Sequence, residues 1–306
     1  MQPNPINPEL NRWCSENLGA PISETLFRAD HLSSVIGVRL ADGQRVVLKL
    51  RAAEQRLYEC FAVQRHLWQQ GYACPKPLGE PSIVGGRLLT AEELVHGGDA
   101  VEGSVATAPQ YAAALREQVR LCERYRIETT LAPAPPWLGG WEHDGAGLWP
   151  HPDDLDADLN EHTGPAWLDD IARRVKPLLR ASSLQRVIGH ADWHSGNLRW
   201  ADGGLHVAYD WDSLAYLPEA AIAGGAGAIF TASLRAEANL VETAAFLDGY
   251  ASARGKAFTE EEIRVAWAAG LWNLAFDAKK QTIDGVGGGL ASLEAEAGER
   301  LHRAGV

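Results

Sequence analysis

The sequence predicts an α+β chain in two unequal parts: a small N-terminal lobe of antiparallel strands with one helix, and a larger, mainly helical C-terminal lobe. Three observations predict it. At 306 residues the chain is about twice an ordinary single domain. Its first third shows strand pairs separated by turn signals around one helical stretch, and beyond residue 98 the composition turns alanine-rich and helical. The break falls at His96-Gly97-Gly98-Asp99, giving lobes of 1–95 and 96–306 with a hinge near 93–98. Hydrophobic residues make up 46% and charged residues 22%, which supplies a globular core and excludes disorder, collagen and a disulfide scaffold.

Each element has its own signal. Val35 to Leu40, the turn Ala41-Asp42-Gly43-Gln44, and Arg45 to Leu50 read as a hairpin with Asp-Gly at its tip. Arg51 to Gln70 follows at helical spacing through Leu57, Phe61, Leu67 and Trp68, and Gly71, Pro75 and Pro77 stop it. Gly85-Gly86 turns a second strand pair, whose outgoing strand is Arg87 to Val95. A helix is expected over Pro109 to Arg126, with the proline in its first turn. Five prolines break Ala132 to Pro152. Trp167 to Leu184 is helical with Pro177 as a kink or split, and Val187 to Trp200 and Leu205 to Tyr209 read as a loop and short strands. Thr259 and Glu262 form a capping box for a long helix, with Phe258 placed to staple onto Ile263.

Charge and cysteines narrow the partners. Lys plus Arg is 28 against 40 for Asp plus Glu, a formal charge of −12. Such a chain repels phosphate backbones and anionic membranes, so nucleic acid and membrane are not expected partners, nor is a protein partner implied; cations are favoured. Cys14, Cys60, Cys74 and Cys122 form no C-x-x-C pair and fit buried thiols in a reducing compartment. Met1 to Trp13 has no apolar signal core. The longest charge-free stretch, Ala220 to Leu234, is short and glycine-loosened for a membrane span. A cytoplasmic protein is expected.

The chemistry concentrates in Val187-Ile-Gly-His190-Ala-Asp192-Trp-His194-Ser-Gly-Asn197-Leu, followed by Leu205-His-Val-Ala-Tyr-Asp210-Trp-Asp212. A carboxylate with an amide five residues later, on a tight loop, supplies a base and one metal ligand; a carboxylate ending the next strand supplies another. Asp192, Asn197 and Asp210 meet that order, with His190 bracing the loop. Phosphoryl transfer needs those parts, and the order parallels the H-R-D-x-x-x-x-N and D-F-G arrangement of protein kinases. Two other readings compete. His190-x-Asp192-x-His194 also has the spacing of a metallohydrolase triplet, although only His206 and His302 follow as further imidazoles. A catalytically silent nucleotide-binding scaffold is the third, and the intact Asp192, Asn197 and Asp210 set argues against it. Gly249 to Ala257 has the look of a P-loop, but its gap is one residue too long and Ala257 replaces Ser/Thr; a helix-to-helix turn is expected there.

These residues resemble the aminoglycoside phosphotransferase and choline kinase-like family, with Ala191 where that family commonly has glycine and Tyr209 before the metal aspartate. The resemblance implies a two-lobed protein kinase-like fold that binds ATP (or GTP) and Mg²⁺. It implies Asp192 as base with His190 supporting it, Asn197 and Asp210 as metal ligands, and Lys49 on the phosphates. Glu59 is expected to orient Lys49, in preference to Glu54. The loop His31-Leu-Ser33-Ser34 would cover the phosphates through amides and the Ser33 and Ser34 hydroxyls. Glu93 and Val95 would read the base edge through their backbone. For the acceptor, a small, cationic molecule is implied (an amino sugar, an aminoglycoside or similar antibiotic, or an amino alcohol). Asp153, Asp154, Trp149, Trp193 and Asp277, with Asp192 itself, are its expected contacts, because carboxylates and indoles suit organic cations. Trp137, Trp141, Trp267, Trp272, Asp212 and Glu219 are weaker candidates for the same walls.

Overall fold

A computed structural model describes residues 7–30, 33–234, 236–286 and 288–306. Five strands form one antiparallel sheet in the order β1-β2-β3-β5-β4: β1 (Ile22–Asp30), β2 (Ser34–Leu40), β3 (Arg45–Arg51), β4 (Pro77–Val84) and β5 (Arg87–Glu93). The Asp-Gly hairpin forms as expected: the Asp42 carboxylate accepts from the Gln44 amide, and Gly43 takes the positive φ of +91° that the turn requires. Strand alternation gives the sheet two faces. Ile36, Val38, Leu48, Leu50 and Leu89 pack against Leu10, Trp13 and Cys14 of helix α1 (Pro8–Asn17), forming a small separate core. The opposite face carries Val47, Lys49 and Arg51, with Thr90 and Glu92 beside them in register.

Helix α2 (Gln55–Gln69) packs on that second face. It begins four residues later than expected, because Arg51 is still paired with Leu88 in the sheet. Neither α1 nor β1 stands out in the sequence. Helix α1 buries three residues only, and most of β1 is exposed.

The remaining chain is mainly helical. Helix α3 (Ala108–Cys122) leads into an irregular segment, then α4 (Ala166–Ala181). The latter runs unbroken through Pro177, contrary to a split, since Leu168, Ile171, Ala172, Val175 and Leu179 bury one continuous face. Two short ribbons follow, β6 (Arg186–His190) with β9 (Leu214–Pro218), and β7 (Leu198–Ala201) with β8 (Gly204–Ala208). Helix α5 (Glu219–Ile229) takes up most of the charge-free stretch and is buried all round from Ala220. Around it lie α6 (Leu240–Arg254), α7 (Glu260–Asp284) and α8 (Gly289–Ala304). The capping box at Thr259 and Glu262 is formed, and the P-loop look-alike is the end of α6, closed by Gly255 at φ +70°. All four cysteines are free and buried. Among the described residues no helix is long and apolar enough to cross a membrane.

Candidate active site

The last residue of β6 organises the site. His190 is fully buried; its Nε2 donates to the Tyr209 carbonyl (2.8 Å), and its Nδ1 accepts from the Asp192 amide (3.2 Å). One imidazole therefore ties the Asp192 loop to the residue preceding Asp210. Burial lowers its pKa, against the pull of Asp192, so it is a neutral brace. Ala191 fits a position with no exposed surface, its amide bonded to the Ser213 carbonyl (2.8 Å).

Asp192 and Asn197 meet directly. Asn197 Nδ2 donates to Asp192 Oδ2 (2.8 Å) and to the Asp192 carbonyl (3.0 Å). His194 Nε2 also lies 3.3 Å from Asp192 Oδ2, while its Nδ1 accepts from the Gly196 amide (3.0 Å). Burial works to raise the Asp192 pKa, but the hydrogen bond and charge of His194, with His190 and Asn197, outweigh it and the net shift is downward. Asp192 is an anion. The same pairing raises His194 against its own desolvation.

Asp210 adopts a left-handed conformation (φ +63°, ψ +48°), uncommon for a residue with a side chain and often found at functional sites. The turn is held from three sides. The Tyr209 amide bonds to the Asn197 carbonyl (2.9 Å), the Ser213 amide to the Asp210 carbonyl (3.1 Å), and Ser213 Oγ to Asp210 Oδ2 (3.1 Å).

Lys49 is buried in the sheet face above, but Glu59 is not its partner. Lys49 Nζ pairs with Glu92 Oε1 (3.0 Å), and Glu92 Oε2 accepts from Gln64 Nε2 (2.9 Å). Glu59 does point inward from α2, as expected of the helix body. It accepts instead from Tyr125 Oη (2.8 Å), the amides of Glu128 and Thr129, and Thr129 Oγ1. The strand neighbour Glu92, two register positions from Lys49, was the closer carboxylate; pairing within a sheet needs no helix to approach. Ser34 is a second correction. It lies across from Leu50, on the α1 face, and its hydroxyl accepts from Arg87 (3.0 Å), so it is turned away from Lys49. Ser33 is half-buried beside it, and His31 and Leu32 lie outside the described residues.

After β5 the backbone amides of Val95, His96, Gly97 and Gly98 all lack an acceptor among the described residues. Glu93, by contrast, donates its amide to the Lys76 carbonyl and Leu94 to that of Arg45. Tyr209 Oη donates to the Val95 carbonyl (3.3 Å), connecting the segment after β5 to the Asp210 turn.

Two expected acceptor contacts are core residues. Trp193 is fully buried with its Nε1 on the Tyr111 carbonyl (3.0 Å). Trp149 packs on Trp272 and Phe276 and bonds Asp169 (2.8 Å). Trp141, Trp267 and Trp272 are buried too, Asp212 pairs with Arg51, and Glu219 serves Tyr250 and Arg254. The carboxylates fare differently. Asp153 and Asp154 are exposed, Lys280 pairs with Asp154, and its Nζ lies 3.9 Å from Asp277. Asp277 keeps 40% of its side chain accessible at the floor of a concave surface. Desolvation pushes it up to about 7, Lys280 opposing, with Glu237, Asp154 and Asp192 adding repulsion. Glu237, absent from the sequence reading, joins this acidic rim.

The donor set suits a hard cation. Asp210 and the Oδ1 of Asn197 offer oxygen, and the amide orientation that places Oδ1 outward follows from Nδ2 being used on Asp192. Among the described residues no group of three or more His, Cys, Asp or Glu is arranged to hold a metal. The His190-x-Asp192-x-His194 triplet fails for a local reason: both nitrogens of His190 are already bonded. One carboxylate and one amide, completed by phosphate oxygens, is the pattern Mg²⁺ accepts.

Residues 24–258 match the model described as "APH: Phosphotransferase enzyme family". No curated protein matches the chain. Among solved structures, an amicoumacin kinase in complex with AMP-PNP, Ca²⁺ and Ami is similar at TM-score 0.62 and 16% identity, covering 92% of this chain and 88% of that one. An aminoglycoside phosphotransferase from Alicyclobacillus acidocaldarius gives 0.58 at 14%, covering 99% and 95%. A choline/ethanolamine kinase family protein from Mesorhizobium loti gives 0.58 at 14%, covering 97% and 92%. At such identities the likeness is one of fold.

Proposed function

Because the chain belongs to the phosphotransferase enzyme family, we propose that it moves the γ-phosphoryl group of ATP or GTP to a hydroxyl of a small, cationic acceptor. The observation that carries this reading is the joining of Asp192, Asn197 and the Asp210 turn by one buried imidazole and one amide. Both polar contacts of the Asp192 carboxylate fall on Oδ2, which leaves Oδ1 to orient the acceptor hydroxyl. The acceptor oxygen bonds to the γ-phosphorus as the bond to the β–γ bridging oxygen breaks, and the hydroxyl proton passes to Asp192. Lys49 holds phosphate oxygens from the sheet, and Asn197 and Asp210 hold Mg²⁺. When bound, that ion neutralises charge on the transferring group. The segment 93–98 is the hinge between lobes 1–95 and 96–306, where the free Val95 amide donates to the base.

The acceptor reading rests on charge. Asp277 feels the charges of Glu237, Asp154 and Asp192, and Lys280 is the one cation paired with Asp154 and Asp277 among the described residues. Ammonium groups suit that rim better than anionic or neutral acceptors. A small-molecule enzyme of the cytoplasm follows, acting without nucleic acid or membrane.

The test is ADP release, with Mg²⁺, over a panel of amino sugars, aminoglycosides, peptide antibiotics and amino alcohols. Asp192→Asn should lower kcat by roughly 10²–10⁴-fold, the usual contribution of a positioned base. Equal turnover in that variant overturns the reading.

A further inference from the structure

A cation on β3 other than Lys49 reaches the metal turn. Arg51 lies two residues beyond Lys49 on the same sheet face and is 9% exposed. Its guanidinium pairs with Asp212, the second residue after Asp210. Arg51 Nε and Asp212 Oδ1 are buried without hydrogen-bond partners. Two further contacts from α2 fall on the same stretch: Arg56 donates to the Leu214 carbonyl (2.8 Å) and the Cys60 thiol to that of Asp212 (3.7 Å). Meanwhile Glu59, on the same helix, is committed to Tyr125 and Thr129. Helix α2 is thus anchored to residues 125–129 and 212–214, with no ion pair to Lys49.

We propose that Arg51 is a positioning residue: through Asp212 it sets the left-handed turn at Asp210 and so prepares the carboxylate that receives Mg²⁺. This rests on the phosphotransfer reading. The chain of cause is short. Asp210 and Asp212 flank Trp211 in one 3₁₀ turn, and Ser213, next in line, bonds the Asp210 carboxylate. Rotating Asp212 moves that whole turn. Because the guanidinium comes from the sheet that carries Lys49, the metal ligand and the phosphate-binding lysine are registered against each other by one side-chain pair. The charge of Asp210 also acts on Arg51, which places the two groups within electrostatic reach.

The experiment measures ATP binding to the full chain by calorimetry, in EDTA and in Mg²⁺, and compares wild type with Arg51→Lys, Arg51→Met, Asp212→Asn and the Arg51→Met/Asp212→Asn double variant. Either neutral single variant leaves a buried charge alone and can fail to fold; the double variant removes both charges together. In the double variant the EDTA dissociation constant should stay within about twofold, while the tightening produced by Mg²⁺ falls at least tenfold. The double should also be no worse than the worse folded single, as expected of residues acting as a unit. Two results overturn the proposal alone, given a wild-type Mg²⁺ effect. One is undiminished Mg²⁺-dependent tightening in the double variant. The other is a loss of equal size in EDTA, which would make Arg51 a direct phosphate contact. A wild-type chain without any Mg²⁺-dependent gain overturns the phosphotransfer reading and this inference with it.

Discussion

As a proposed acceptor contact, Asp277 would trade stability for recognition. Its carboxyl, pushed up to about 7 by desolvation and by the acids around it, is protonated in part near neutrality. Only the ionised form attracts an ammonium group, and with that pKa it grows from about a tenth at pH 6 to about nine tenths at pH 8. An amine acceptor should therefore bind more tightly as pH rises across that interval, and Asp277→Asn should flatten the dependence. The sign for stability is opposite. A carboxyl whose folded-state pKa is raised makes the folded chain lose ground as pH climbs from the unfolded value, near 4, through 7. Asp277→Asn should then melt higher than wild type at pH 8 and no higher at pH 4. A variant that keeps the wild-type pH profile for acceptor binding would remove Asp277 from the site. His194 is the neighbouring lesson. It was visible in the sequence only as part of a metal-like triplet, yet its work is to hold Asp192 ionised and to cap the following 3₁₀ turn.

Helix α5 and helix α7 cross at glycines. A Cβ on Gly224 would sit 1.9 Å from the Ala266 carbonyl oxygen, and one on Gly270 would sit 2.8 Å from the Gly224 carbonyl oxygen. These are backbone atoms of a buried pair and cannot step aside as a flexible side chain does. Gly224→Ala should cost about 2 kcal/mol or more and lower Tm by at least about 3 °C, measured by calorimetry, despite the better helix propensity of alanine. A neutral or stabilising result would mean that the crossing is looser than drawn. The same stretch shows what sequence can convey. Lack of charge over Ala220 to Leu234 said "buried", but which glycine meets which backbone depends on a partner helix about 40 residues away. The hairpin, the capping box and the order His190, Asp192, Asn197, Asp210 were legible because each is local. The Lys49–Glu92, Glu59–Thr129 and Arg51–Asp212 pairings were not, since each joins segments brought together only by folding. Indoles misled for a related reason: Trp149 and Trp193 sit among catalytic and acidic residues in the sequence but bury their rings in the core.

Two hydrophobic cores divide the whole molecule, a small one between α1 and the sheet and a large one through the helices. Polar contacts carry much of the junction between them. Arg51 reaches Asp212, Tyr209 reaches Val95, and His206 Nε2 meets the His96 carbonyl at 2.8 Å. A ligand bound by Lys49 on one side and Asp210 on the other stabilises that junction by mass action. At a free concentration 100 times its dissociation constant the gain is about 2.7 kcal/mol, which for a chain of this size raises Tm by roughly 4 °C. The chain's formal charge of −12 opposes an anionic nucleotide, and Lys49 already faces Glu92. ATP alone should therefore shift Tm much less than ATP with Mg²⁺ at the same concentration, and added salt should narrow the gap by screening the repulsion. Asp210→Asn removes one of the charges proposed to hold the metal. It should keep the ligand-free Tm within a few degrees, since the residue is only partly buried and its turn is held by backbone bonds to Asn197 and Ser213. It should also lose most of the Mg²⁺-dependent part of the shift. Calorimetric scans of wild type and Asp210→Asn, each with no ligand, ATP in EDTA and ATP with Mg²⁺, decide the matter. Equal shifts in EDTA and Mg²⁺ for the wild-type chain would show that nucleotide and metal do not meet between these two cores.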